Sequence, residues 1–433
     1  MKKKSKGMTR RDFIKNVGFA AGAVGMSTAL PKFIRPAAAQ TKDHILIGRP
    51  LPMTGPVAAF TQSTPWLDDK AIAEINKDGG IFIKELGKKL PVKVRILDTE
   101  SNPTKAAELA SRLIMMDKVD IMYVSATPAT VSPVAAVCER QKVPCVSTMM
   151  PNEMFLLGGP FHWCFNASVN VSDFLASFIQ AWDQVQTNKV VGLCAQNDAD
   201  GIAWAQGAGK VLGSVGYTLI DLGRFPEGTN DYTTQINGWK KEKVEILFAN
   251  MSPPDFATLW RQCFRTGLVP KVCTAGRAGL FSAAMQAIGE GLGLGVTSEL
   301  MFHPEYPYKS SLAGENAMQF CEAYEKASGK QWNQPIGGCF AGYEIVADAL
   351  KRAQTLDKEA IRQAIGATNL ETLQGPTKFG DKNVAVTPSG CVQWVKGDKF
   401  PFRAAMVANG NYKTLPVKEK VLSIPELREK SKS

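Results

Sequence analysis

Between Ile45 and Ile83 the chain runs through a strand, a loop broken by proline and glycine, a helix and a Gly-Gly stop, and that succession constrains everything after it. Ile45, Leu46 and Ile47 read as a buried strand, and Leu51-Pro52-Met53-Thr54-Gly55-Pro56 cannot continue it, because no regular element tolerates two prolines and a glycine so close together. Trp66, Ala71, Ile72 and Ile75 then recur at helical spacing until Asp78-Gly79-Gly80 ends the helix. A strand, a loop and a helix in that order open an α/β sheet, with the first loop at the carboxyl end of the first strand, where open α/β sheets take their ligands.

The same grammar continues. Val92–Leu97, Ile121–Val124 and Cys145–Ser147 read as strands, separated by helices over Thr104–Met116 and Ser132–Gln141. Strands alternating with helices of this length predict βαβ units, a parallel sheet and right-handed crossovers. After Asn166 a second series begins: strands at Val190–Cys194, Thr218–Leu222, Ile246–Ala249 and Val272–Ala275, with helices between them. Glycine-dense Gly289–Gly295 follows, then helices over Glu315–Ser328 and Phe340–Ala353 and a strand at Cys391–Val395. No period of 20 to 50 residues repeats, which excludes a solenoid. At 433 residues and 45% apolar composition, two lobes are expected.

Residues 1–39 differ in kind. Lys2, Lys3, Lys4 and Lys6 precede Thr9-Arg10-Arg11-Asp12-Phe13-Ile14-Lys15, a weakly apolar run from Val17 to Leu30 follows, and Ala37-Ala38-Ala39 offers small residues for a signal peptidase. The expectation is a signal peptide cleaved after Ala39, and the paired arginines resemble a twin-arginine export signal, which carries folded proteins. An ordinary Sec leader or an uncleaved anchor are the alternatives. The leader also explains most of the charge: it holds nine basic residues and one acidic, a net of +8 that leaves only +3 of the formal +11 on the mature chain. So small an excess gives no reason to expect nucleic acid as a partner. Nine cysteines cannot all pair, none lies in a Cys-x-x-Cys spacing, and only His44, His162 and His303 are present, so neither a metal site nor a cofactor is expected. Cys138 with Cys145, or Cys263 with Cys273, are spaced so that they could bridge.

The strings "IGRPLPMTGPVAAF", "AIAEINKDGGI", "DTESNPTKAAELASRLI", "DKVDIMYVSATPATVSPVAAVCERQKVPCVS" and "NDADG", in this order and spacing, resemble the leucine/isoleucine/valine-binding family of periplasmic substrate-binding proteins, the receptors of ABC importers. The resemblance covers nearly the whole exported chain. It implies a type I periplasmic binding protein fold: two Rossmann-like lobes with parallel sheets, joined by a three-segment hinge. On that pattern lobe 1 is 42–165 with 296–385, and lobe 2 is 166–295 with 386–433. It further implies a periplasmic, monomeric, non-enzymatic protein that closes on a small carboxylate-bearing solute and hands it to an inner-membrane permease.

Candidate binding residues follow from both readings. Ser125-Ala126-Thr127-Pro128-Ala129-Thr130 precedes the helix expected to start at Ser132-Pro133, and a helix amino terminus exposes N–H groups and positive dipole to a carboxylate. By itself such a loop reads more readily as an N-cap for its own helix, and it is the resemblance that reverses this. The resemblance assigns the ligand carboxylate to Ser125, Thr127, Ala129 and Thr130 and to the next loop, at Met149 and Met150, where Pro151 replaces a frequent hydroxyl. Phe60 matches an aromatic position that packs on the ligand. Asp200 and Met251 stand where the family pattern has tyrosines, and Gly276, with Arg277 beside it, stands where amino-acid receptors place an acid for the ammonium group. No acid lies in that last loop, so Arg277 is expected to meet a carboxylate or amide oxygen and the ligand to carry a carboxylate with no obligatory α-ammonium, unless Asp200 takes over that group. A competing class, an exported hydrolase or redox enzyme, finds no Gly-x-Ser-x-Gly elbow, no His–Cys arrangement and no dinucleotide fingerprint in the chain. A solute-sensing domain of similar architecture is a third reading.

Overall fold

The computed structural model describes residues 42–289 and 291–430, so the leader, its paired arginines and the cleavage point at Ala39 lie outside the described residues. Two sheets organise what is described. The first has six parallel strands in the order Val384–Val386, Cys164–Ser168, Cys145–Thr148, Ile121–Ser125, Ile45–Leu51 and Val92–Asp98. The second has seven, in the order Phe402–Ala408, Gly390–Lys396, Thr297–Leu300, Val272–Arg277, Ile246–Met251, Val190–Gln196 and Thr218–Phe225. Within each series the first strand lies between the second and the third. Strand order therefore reverses beside Ile45–Leu51 in one sheet and beside Val190–Gln196 in the other, and ligands bind at the carboxyl ends of strands where order reverses.

Ile45, Ile47, Ile121 and Val124 are fully buried, as are Val191, Ile246 and Leu247, which is why both central strands read as continuous apolar runs. Behind the second sheet, Phe174, Phe178, Trp182, Trp204 and Phe248 form one aromatic stack with centroid separations of 5.6 to 6.3 Å. All nine cysteines are buried free thiols, so neither bridge allowed by spacing is formed.

The structure corrects two local expectations. The helix expected from Ser132 starts at Pro128 and runs to Gln141, leaving Pro133 inside it. Two prolines competed for the first helical position; Pro128 takes it, because Thr127 is extended, and the missing N–H of Pro133 is carried within the second turn. Ala129 and Thr130 are therefore first-turn residues, not loop. The second correction is a strand, Thr297–Leu300, where none was expected. It pairs with Val272–Arg277 and Gly390–Lys396, so the second sheet continues past residue 296, and Asn166–Ser168 belongs to the first sheet.

The chain passes between the sheets three times: after Ser168, after Leu300, and between Val386 and Gly390. Buried Gln334 fastens the second passage, accepting from the Met301 amide at 2.7 Å and donating to the Glu299 carbonyl at 2.6 Å.

Candidate functional site

The carboxyl ends of the two reversal points meet around a void of about 20 Å³, room for roughly one water. Thr127, Pro128, Asp200 and Arg277 also wall an adjoining outer cleft of about 190 Å³. The first sheet contributes Phe60, Ala126, Thr127 and Met149, and the second contributes Trp204, Asp200, Arg277 and Glu299. Phe60, in the first loop, meets Phe281 edge-on at 5.1 Å, so an aromatic contact joins the two sides. Anything larger than water enters only as these walls move.

Backbone strain gathers here. Ala126 has φ 120° and Met149 φ 69°, each at the end of a strand of the first sheet, and Arg277 has φ 59° and ψ −62°, in the strained γ-turn region. Such conformations cost roughly 1–3 kcal/mol each and concentrate at ligand clamps. Ala126→Gly is expected to raise stability by about 1 kcal/mol in urea unfolding, since glycine holds φ 120° freely; a loss would show that Ala126 bears no strain.

The charged groups lie on the second sheet. The Arg277 guanidinium donates from Nη1 to Asp198 at 2.7 Å and pairs through Nε with Asp200 at 3.0 Å, while Nη2 reaches the Asn250 carbonyl at 3.3 Å. Burial works against its charge, but Asp200 and Asp198 hold its pKa above the ordinary value. Asp200 is pushed up to about 6 by burial, against the pull of Arg277. Burial, followed by the neighbouring Asp200, pushes Glu299 up to about 8. Gly276 explains how that acid fits: a Cβ there would stand 3.0 Å from Glu299 Oε1 and 2.8 Å from Asn250 Nδ2. The space a side chain at 276 would take is occupied by a carboxyl from the next strand.

Of the sequence-predicted residues, Phe60, Thr127, Met149, Asp200 and Arg277 line the void, and Ala129 lines the outer cleft. Ser125 faces its own lobe, its Oγ accepting from Arg49 and from the Cys339 thiol at 3.5 Å each. Met150 takes a contact from Ser132 at 3.7 Å, while Thr130 and Met251 are buried outside both linings. The expectation of an arginine offered to a ligand carboxylate is corrected: two aspartates, 77 to 79 residues away in sequence, already neutralise it. Sequence reasoning missed Phe174, Trp204, Leu280, Met301 and Glu299. For Glu299 the only signal was local, an acid set directly ahead of the apolar Leu300-Met301-Phe302.

Two α/β lobes crossed three times by the chain, with a void between their strand ends, define the class of solute-binding proteins. The periplasmic binding protein family matches residues 44–399, and the chain belongs to it. Members bind small-molecule solutes and deliver them to ABC permeases. Among solved structures, the leucine-binding protein LivK of Thermotoga maritima is 20% identical, with TM-score 0.71 over 84% of this chain and 99% of that one. LivJ of Streptococcus pneumoniae, in complex with isoleucine, is 18% identical, with TM-score 0.71 over 84% and 99%. A solute-binding protein of Rhodopseudomonas palustris in complex with 3,4-dihydroxybenzoic acid is 19% identical, with TM-score 0.67 over 86% and 100%. At these identities the likeness is one of fold.

Proposed function

We propose that this protein is the exported, monomeric receptor of a branched-chain-amino-acid-type ABC importer, and that its ligand is a small aminocarboxylate with an apolar or aromatic side chain. The lobes divide at the three passages: 42–168 with 301–386, and 169–300 with 387–430. They hinge there to admit the solute, and an inner-membrane permease receives it.

The observation that carries the reading is the chemistry of the two sides of the void. Thr127 caps the helix Pro128–Gln141 without using its hydroxyl, and its buried Oγ1 has no partner. That hydroxyl and the helix start suit a carboxylate. Across from them, Asp200 and Glu299 line the void beside one guanidinium that is already paired with Asp198 and Asp200, an excess of acid that suits an ammonium. Phe60, Phe174, Trp204 and Met301 supply apolar wall for the remainder of the ligand.

Calorimetry tests this with L-phenylalanine, L-leucine, 3-phenylpropionate and 3,4-dihydroxybenzoate. The amino acids are expected to bind, and 3-phenylpropionate to bind about 100-fold more weakly than L-phenylalanine, since it leaves the acids unpaired. Tight binding of either deaminated acid together with none of the amino acids makes the protein an aromatic-acid receptor instead.

A further inference from the structure

We propose that Glu299 is a proton-exchange site: it holds a proton while no cation is present and releases it to solvent when a ligand's ammonium group takes its place. This rests on the aminocarboxylate reading above and adds a proton to its binding equation. The balance is simple: a neutral carboxyl and an ammonium ion give an ion pair and one proton in solvent.

Geometry carries the argument. Glu299 is 4% exposed and Asp200 5% exposed, and both line the same void. The single guanidinium among them, Arg277, is already committed to Asp198 at 2.7 Å and Asp200 at 3.0 Å. A third carboxyl in such a place has no countercharge of its own, and a buried unpaired carboxylate neutralises by taking a proton. Thr127, 4% exposed and from the opposite lobe, lines the same void, and its buried hydroxyl has no partner.

Among the described residues, the charged groups that bear on Glu299 are Asp200 and Arg277. On the strand Val272–Arg277 the facing group is Arg277, on the helix Ala199–Val211 it is Asp200, and on Gly390–Lys396 the register partner is Cys391. Burial pushes the Cys391 thiol well up, so it stays neutral. Burial first and Asp200 second raise the Glu299 carboxyl to about 8, so at neutral pH it carries a proton.

The experiment has two arms. The first needs no ligand: melting temperatures of the parent and of Glu299→Gln are compared from about pH 5 to about pH 9. A carboxyl raised in the folded state stabilises fully below its unfolded pKa and loses that contribution as pH rises through about 8. The parent is therefore expected to fall progressively below the variant across this range. A difference independent of pH overturns the proposal.

The second arm is calorimetry with L-phenylalanine at pH 6, 7 and 8 in buffers of different ionisation enthalpy. Affinity of the parent is expected to rise about tenfold per pH unit below pH 8, with a proton released to buffer. Glu299→Gln is expected to bind more weakly and without proton release. Affinity that is the same at pH 6 and pH 8 overturns the exchange and leaves the aminocarboxylate reading standing. Failure of both L-phenylalanine and L-leucine to bind at any pH overturns that reading and the exchange with it, while the first arm still decides whether Glu299 is protonated.

Discussion

Asp68→Ala is expected to destabilise the protein by about 3–5 kcal/mol in urea unfolding, because it strands Arg49 in the interior of the first lobe. Arg49 lies on the first strand and is wholly buried; its Nε stands 3.5 Å from Asp68 Oδ2 and its guanidinium lies 4.2 Å from the centre of the Tyr123 ring and 4.9 Å from that of Tyr343. Burial opposes its charge, yet Asp68, ahead of the two tyrosines, keeps it protonated. For Asp68 the balance runs the other way: burial outweighs Arg49 and raises its pKa. The pair as a whole is then close to neutral for stability, as buried ion pairs commonly are, while breaking it is costly. Arg49→Met combined with Asp68→Leu is therefore expected to recover most of the loss. A double variant as unstable as Asp68→Ala would show that the cost lies in packing and not in an unpaired charge. The consequence reaches the site, because Arg49 Nη2 also donates to Ser125, immediately ahead of strained Ala126.

The sequence made the two strand–helix series legible because their inner strands are apolar and almost wholly buried, and burial is what periodicity reports. Thr297–Leu300 escaped for the opposite reason. Three of its four residues are polar, and they are buried at no great cost because Thr297 donates to the Cys273 carbonyl and Ser298 to that of Ala275. Those bonds run between strands that are distant in sequence, and no local pattern announces them. With the strand went Glu299, and so the acid that part of the site requires. Arg277 was misread for a related reason. Its neighbours in sequence are Gly276 and Ala278, and the aspartates that neutralise it arrive from the loop and helix after another strand. Thr127 was found because it follows closely on a strand end, where the fold puts ligands, whereas Phe60 and Met149 came from the family resemblance.

Arg277→Met is expected to cost about 3–5 kcal/mol at pH 8 and much less at pH 5, measured by urea unfolding at both pH values. Of the two aspartates it would leave, Asp198 is one-third exposed and keeps its hydration, so the cost falls on Asp200, whose side chain is 7% exposed. Burial already lifts Asp200 to about 6 with the arginine in place, and removing the arginine raises it further. At pH 8 the folded variant must either hold a buried carboxylate or take up a proton that the unfolded chain does not, and both are unfavourable. At pH 5 the proton is on Asp200 in the folded variant, and the lost pair matters little. Arg277→Met with Asp200→Asn is expected to remove most of the pH dependence. Equal losses at pH 5 and pH 8 would show that Arg277 acts through its strained backbone and its packing. The same variant bears on the ligand: with Arg277 gone, Asp198 and Asp200 lose the guanidinium that pairs with them, so a bound ammonium takes over as countercharge in the void, and affinity for L-phenylalanine at pH 8 should rise even as the unliganded protein becomes less stable.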